Sequence, residues 1–151
     1  MPEKSAGILM YRRGKEVEVL LVHPGGPFFV RKDEGSWSIP KGLYLAPEEP
    51  LAAAIREFEE ETGANVEGNF IPLSPVKLKS GKIVLAWAVE GDFDTQKLVS
   101  NTFDTEWPPR SGKRQTFPEV DRADWFTFEI ARKKLNERQV AFVDELEKLL
   151  D

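Results

Sequence analysis

The 151-residue chain contains no cysteine and a single histidine, His23. The first absence excludes disulfides, thiolate zinc sites and cysteine nucleophiles. The second excludes a centre built from several histidines. Basic charge is also short, with 21 Lys and Arg against 26 Asp and Glu and a net charge of −5. A duplex nucleic-acid binder or a polybasic membrane-surface module needs the opposite balance, so neither nucleic acid nor membrane is expected as a partner. No run approaches the roughly 18 apolar residues of a membrane span. The opening MPEKSAG carries a proline and an acid and leads into no signal-like apolar stretch. A cytoplasmic protein is the expectation; the oligomeric state cannot be read from the sequence. What is present, 40% apolar and 31% charged residues, suits a folded domain with a core. At roughly 150 residues per domain, residues 1–151 make one domain.

No internal repeat or low-complexity tract interrupts the chain, which reads as mixed α/β. Residues 5–11 and 17–23 pattern as paired strands around a turn at Arg12-Arg13-Gly14-Lys15. HPGGP is a second turn, with a short strand expected at Phe28 to Val30, and Trp37-Ser38-Ile39 runs extended into Pro40. A helix is predicted from Glu49 or Pro50 to Thr62, with prolines and acids at its start and Gly63 at its stop. Residues 66–73 and 76–90 read as strands, the latter a hairpin turning at Ser80-Gly81, and residues 91–118 as irregular. A last strand at 123–126 precedes a helical tail, 128–150, broken near Asn136. The tail's Val140, Phe142, Val143, Leu146, Leu149 and Leu150 recur at helical spacing and belong to a core.

The helix from Pro50 carries the strongest signal. With Glu57 as origin and 100° per residue, Leu51, Ala54, Ile55, Phe58 and Thr62 fall between about 60° and 160°, the core-facing stripe. Glu57, Glu60 and Glu61 share an arc of about 100° along one edge of that stripe, while Glu59 points away. Two charges about 5.5 Å apart repel by roughly 3 kcal/mol at an effective dielectric near 20. Arg56 relieves only part of this, and no lysine follows at i+4. Clustered carboxylates beside a backbone carbonyl form a hard oxygen site that suits Mg²⁺ or Mn²⁺; an unusual solvated face is the alternative.

Residues 42–64, GLYLAPEEPLAAAIREFEEETGA, resemble the Nudix box, G-x5-E-x7-R-E-U-x-E-E-x-G-U with U apolar. Gly42, Glu48, Arg56, Glu57, Glu60, Glu61 and Gly63 occupy all seven fixed positions and Phe58 the first apolar one; Ala64 matches the last only weakly. The resemblance implies an α/β/α sandwich with a mixed central sheet, this helix at about 50–62 and a C-terminal helix at about 137–150. It also implies metal-dependent hydrolysis of a nucleoside diphosphate linked to another group. Gly42, through its carbonyl, with Glu57, Glu60 and Glu61 would hold Mg²⁺ or Mn²⁺, two ions or more. Arg56 would steady the carboxylates, and Glu48 would brace the loop on the helix. Pyrophosphate cleavage needs a base, which leaves Glu57 or an acid outside the box. Glu119, in TFPEVDRADWF, is the outside candidate, ahead of Asp121.

The sequence WSIPKG before the box is similar to that of dinucleoside polyphosphate and diphosphoinositol polyphosphate hydrolases. It makes Lys41 a candidate phosphate ligand and diadenosine tetraphosphate the favoured substrate. Nucleoside triphosphates or nucleotide sugars are the enzymatic alternatives, and a non-catalytic nucleotide sensor the alternative of another class. Arg110, Lys113 and Arg114 form a basic loop that could hold a polyphosphate chain. Tyr44, Trp87, Phe103 and Trp107 are eligible to stack on a base, with Trp87 better suited to a core. His23, beside a Pro/Gly turn, is expected to be structural.

Overall fold

The computed structural model describes residues 2–151. In chain order it contains β1 (Lys4–Arg13), β2 (Val17–Pro24), β3 (Lys41–Leu43), α1 (Pro50–Thr62), β4 (Ile71–Pro72), β5 (Val76–Lys77) and β6 (Ile83–Glu90). A 3-10 turn at Thr95–Lys97 leads to β7 (Thr102–Glu106), β8 (Arg114–Pro118), β9 (Val120–Thr127), α2 (Phe128–Lys134), a 3-10 turn at Glu137–Gln139 and α3 (Val140–Leu150). The main sheet runs β4-β6-β1-β2-β9, with β3 added to β1 and β5 to β6. β1 and β6 are parallel, from Lys4↔Ile83 to Tyr11↔Glu90, and the other pairs are antiparallel, so the sheet is mixed as expected.

Alternation along the strands divides the core in two, because successive side chains point to opposite faces. Leu9, Tyr11, Val19 and Leu21 pack with Ala131, Leu135, Phe142, Val143 and Leu146 of the C-terminal helices and the turn joining them. Ile8, Met10, Leu20 and Val22 pack with Ala53, Ala54 and Phe58 of α1. The result is a helix layer on each face, the α/β/α sandwich that the box implies.

β1 and β2 pair only near their shared turn, from Tyr11↔Val19 to Arg13↔Val17, and diverge beyond it. Residues 38–43 fill the opening. Ser38 exchanges hydrogen bonds with Val22 (2.8 and 3.0 Å), Ile8 N–H donates to the Pro40 carbonyl (3.1 Å), and β3 pairs with the start of β1. This insertion delivers Lys41 and Gly42 to the end of the sheet that α1 covers.

Three expectations need correction. Phe28 to Val30 form a turn, not a strand; the backbone positions beside β2 are already taken by Ser38 and β9. Of residues 66–73 only Ile71–Pro72 are strand: Val66 is buried without a ladder partner, and Pro75 lacks an N–H with which to carry the ladder into β5. The segment 91–118 is not wholly irregular, since β7 and β8 form a hairpin apart from the main sheet, Thr102↔Pro118 to Glu106↔Arg114. Its strands bury little, so the apolar alternation that marks a half-buried strand is faint in TFDTE and RQTFP. The helical tail breaks at Asn136, whose side chain caps the turn before α3.

Candidate active site

α1 is fixed at both ends by local chemistry. The Glu49 carboxylate accepts the Ala52 N–H (2.8 Å), Pro50 opens the helix, and Gly63 closes it at φ +80° with its N–H on the Glu59 carbonyl (2.7 Å). Burial of Ala53, Ala54, Phe58 and Thr62 sets its rotation. Glu57 and Glu61 therefore meet Gly42 and Lys41 of the inserted segment, Glu60 lies on the side of Asn101, and Glu59 stays exposed.

Arg56 organises the near side of this edge. Its Nε and Nη2 donate to the two oxygens of Glu48 (2.8 and 2.9 Å), and its Nη1 donates to Glu57 (2.9 Å) and Glu60 (2.7 Å). The carboxylates hold the guanidinium firmly protonated, and it holds Glu48 below the usual carboxylate range. Glu48, in the loop before α1, thus meets Arg56 of the helix in a bidentate contact.

The Glu57 carboxylate rests against Gly42, where a Cβ would lie 2.0 Å from its Oε2. Only glycine allows that approach, which brings the carboxylate against the backbone whose carbonyl is a candidate ligand. Burial raises the Glu57 pKa, with Glu60 and Glu119 adding to the rise and Arg56 opposing it. Glu61 lies at the floor of a cleft and accepts the backbone N–H of Lys41 (3.2 Å). Burial, with the charges of Glu57 and Glu119 behind it, pushes its pKa up to about 8. Burial also lowers the pKa of Lys41, while nearby Glu61 counters that effect.

Glu119 joins the same field, raised first by burial and then by Glu60. Asn101 ties it to the helix: its N–H donates to the Glu60 carbonyl (2.8 Å), and its carbonyl accepts the Glu119 N–H (2.8 Å). Four carboxylates, Glu57, Glu60, Glu61 and Glu119, therefore act on one another, and Arg56 is hydrogen-bonded to Glu57 and Glu60 alone of the four. As arranged, no three acidic or histidine side chains among the described residues converge tightly enough to chelate one ion. Arg56 and the Lys41 N–H engage three of them. The donor set still fits a hard divalent cation: its donors are carboxylate oxygens, and buried carboxylates that face other acids are those a cation relieves.

The cleft above Glu61 encloses about 410 Å³ and is lined by Phe29, Lys32, Trp37, Lys41 and Glu119 among others. The expected residues divide around it. Lys41, Glu61 and Glu119 line it, whereas Arg110, Lys113 and Arg114 sit at the far end of the β7–β8 hairpin. None of the four aromatics expected to stack on a base lines the cleft. Tyr44 and Trp87 pack on the α1-side core, Phe103 faces Phe117 across the hairpin, and Trp107 meets Phe28. Asp121 and His23 are joined instead. Buried His23 contacts the Asp121 carboxylate through Nδ1 and the Lys32 carbonyl through Nε2, both at 2.7 Å, pinning the cleft loop to β9, the structural role expected of it.

Sequence reasoning missed three residues. Phe29 is the partly exposed aromatic of the cleft, and its signal was an aromatic in a Gly/Pro turn followed by Arg31-Lys32. Gln139 is buried and accepts the Ile39 N–H (3.0 Å) while donating to Ser38 (3.1 Å), anchoring the cleft wall to the C-terminal layer. Asn101 carries no local signal, because both of its partners are remote in sequence.

A mixed α/β/α sandwich with a carboxylate-edged helix beside splayed strands defines the class. The NUDIX domain profile matches residues 1–146, and the chain belongs to that family. Over 65 residues it is 42% identical to an RNA pyrophosphohydrolase of Rhodospirillum rubrum, covering 41% of this chain but only 38% of that protein's length. The fold is similar to that of a C. elegans Ap4A hydrolase in a binary complex (TM-score 0.68, 21% identity, 97% of each chain). It is also similar to the NUDIX domain of Shewanella oneidensis NrtR complexed with ADP ribose (TM-score 0.67, 13% identity, 100% of this chain and 90% of that one). Among the described residues no helix is long and apolar enough to cross a membrane.

Proposed function

We propose that the protein is a divalent-metal-dependent pyrophosphohydrolase that cleaves a phosphoanhydride bond in a nucleoside diphosphate linked to another group. A dinucleoside polyphosphate such as diadenosine tetraphosphate is the favoured substrate. The observation that carries the reading is a cleft lined by Lys41, Glu61 and Glu119, with Glu57 packed on Gly42 behind it and the charges of Glu57 and Glu60 felt by these acids. The R. rubrum relative, an RNA pyrophosphohydrolase, and the C. elegans fold neighbour, an Ap4A hydrolase, both act on phosphoanhydride bonds, which supports it.

Glu57, Glu60 and Glu61, with the Gly42 carbonyl, would hold two or more Mg²⁺ or Mn²⁺ ions. Bound there, the ions would neutralise charge on the phosphate oxygens and acidify the attacking water. Arg56 fixes the positions of Glu57 and Glu60 and offsets their mutual repulsion. Lys41 supplies a cation to the phosphates from the cleft wall. Glu119 is the better-placed base, since its carboxylate has no hydrogen-bond partner among the described residues while that of Glu57 is held by Arg56. Its raised pKa brings it closer to the operating pH, as a base requires. Phe29, with Lys32 5.3 Å above its ring, offers a face to the base of the nucleotide in the cleft.

The test is a substrate panel with and without Mg²⁺: diadenosine tetraphosphate, ATP, dGTP, ADP-ribose, a nucleotide sugar, an inositol pyrophosphate and a 5′-triphosphorylated RNA. Metal-dependent conversion of diadenosine tetraphosphate to ATP and AMP, well above the rest, is the expected result. Preference for another member keeps the chemistry and replaces the substrate. Silence across the panel overturns the enzymatic reading in favour of a nucleotide sensor.

A further inference from the structure

The tip of the β7–β8 hairpin has no part in the chemistry above, yet it has the composition of a binding surface. Residues 25–32 and 107–115 contain Arg31, Lys32, Arg110, Lys113 and Arg114 and not one acid, in a chain of net charge −5. All five cations are exposed, and none forms an ion pair among the described residues. Two of the acids that border the two stretches have hydrogen-bond partners. Glu106 accepts the backbone N–H groups of Arg110 (2.9 Å) and Gly112 (3.2 Å), which shapes the loop, and Asp33 accepts from Trp37 and Lys134. Glu34, two residues beyond Lys32, is exposed, as are Asp33 and Glu106.

The same two stretches carry aromatic surface. Phe28 is 56% exposed and meets Trp107 edge-on, with ring centroids 5.3 Å apart at 77°. The contact is held from below, because the loop crosses the hairpin at Gly26, where a Cβ would lie 2.7 Å from Phe103 and φ is +95°. A partly exposed ring pair on loops that also carry five exposed cations matches one ligand chemistry, a base joined to phosphate.

Position tells which base. The foot of the hairpin is at Glu119, whose N–H bonds Asn101. The tip is five residues further along each strand, roughly 17 Å away at about 3.3 Å per residue. That is too far to touch the phosphates held beside α1. It is within reach of a second nucleoside carried on the same polyphosphate. We infer that Phe28 and Trp107, with Arg110, Lys113 and Arg114, form a distal subsite for the nucleoside phosphate at the far end of the polyphosphate from the nucleotide held in the cleft. The substrate then carries a nucleotide on both sides of the anhydride. A dinucleoside polyphosphate and the second nucleotide of a 5′-polyphosphorylated RNA share this chemistry. The inference rests on the pyrophosphohydrolase reading of the α1 site.

The test compares diadenosine tetraphosphate with adenosine 5′-tetraphosphate, which has the same phosphates and no second nucleoside. KM for each is measured in Mg²⁺ for wild type, Trp107→Ala, Trp107→Phe and the Lys113→Ala, Arg114→Ala double variant. Loss of a stacking partner should raise KM for the dinucleotide about fivefold or more. The mononucleotide should stay within about twofold, and Trp107→Phe should recover most of the loss. The double variant, altering exposed side chains only, should reproduce the selective effect without risk to folding. Equal changes for both nucleotides, or none, overturn the subsite while leaving the pyrophosphohydrolase reading intact. A Trp107-dependent KM seen for a 5′-triphosphorylated trinucleotide RNA but not for the dinucleotide keeps the subsite and makes RNA its source. If no compound is cleaved, the α1 reading fails by itself. Calorimetric binding of the same pair then decides the subsite, and equal affinities in wild type and Trp107→Ala overturn it.

Discussion

α1 and α3 cover opposite faces of one sheet and are nearly the same length, yet they treat their acids differently. On α3, Phe142, Val143 and Leu146 are fully buried, and the acids have partners of their own: Arg132 bonds Asp144 (2.8 Å) and Glu147 (2.6 Å), and Glu145 accepts the Ser74 N–H (2.7 Å). On α1 the apolar stripe is equally buried, but Glu57 and Glu60 share Arg56, and Glu61 has only a backbone donor. Stability alone would not select the second pattern, since unrelieved like charges cost free energy. An apolar stripe marks a helix as part of the core; uncompensated charge along the edge of that stripe marks it as part of a site.

The contrast is tested most strongly by separating activity from stability. Glu57→Gln should lower kcat/KM by on the order of 100-fold or more, the scale of losing one group that meets developing charge, with Tm nearly unchanged. Glu119→Gln should lower turnover comparably, but Mn²⁺ titration should find weakened binding only in Glu57→Gln. Equal metal affinity in wild type and Glu57→Gln would remove Glu57 from the ligand set. On the other helix, Phe142→Ala should reverse the pattern. Emptying a fully buried aromatic position costs about 3–5 kcal/mol in denaturant unfolding, with kcat preserved at temperatures where the variant stays folded.

A subtler effect sharpens the comparison through pH. Glu61 titrates near 8 when folded, above its ordinary value of 4.5. A raised carboxyl pKa means that the folded state holds its proton more tightly than the unfolded chain. The stabilisation is complete below about pH 4.5 and is lost as pH rises through about 8. Metal-free wild type should therefore lose unfolding free energy across that window, Glu61→Gln should flatten the slope, and Mg²⁺ should restore stability at the alkaline end. A slope in Glu61→Gln as steep as in wild type would show that Glu61 is not its source.

Local pattern determined what depends on neighbours in sequence. Helical periodicity, capping residues and a glycine stop specify α1 to the residue, and the same 100° spacing aligns three of its glutamates on one edge. Strand alternation in β1, β2 and β6 likewise needs only the period of two and the burial of both faces. The β7–β8 hairpin was not legible, because a two-stranded ribbon off the main sheet buries too little to impose alternation. Nor was the cleft. Phe29, Lys41, Glu119 and Gln139 meet only because residues 38–43 enter the gap between β1 and β2, and Asn101 finds Glu60 and Glu119 across segments distant in sequence. The helix and its charge were therefore written locally, whereas the distance of each cation and aromatic from that charge was decided by packing, which brings together residues that no short-range rule connects.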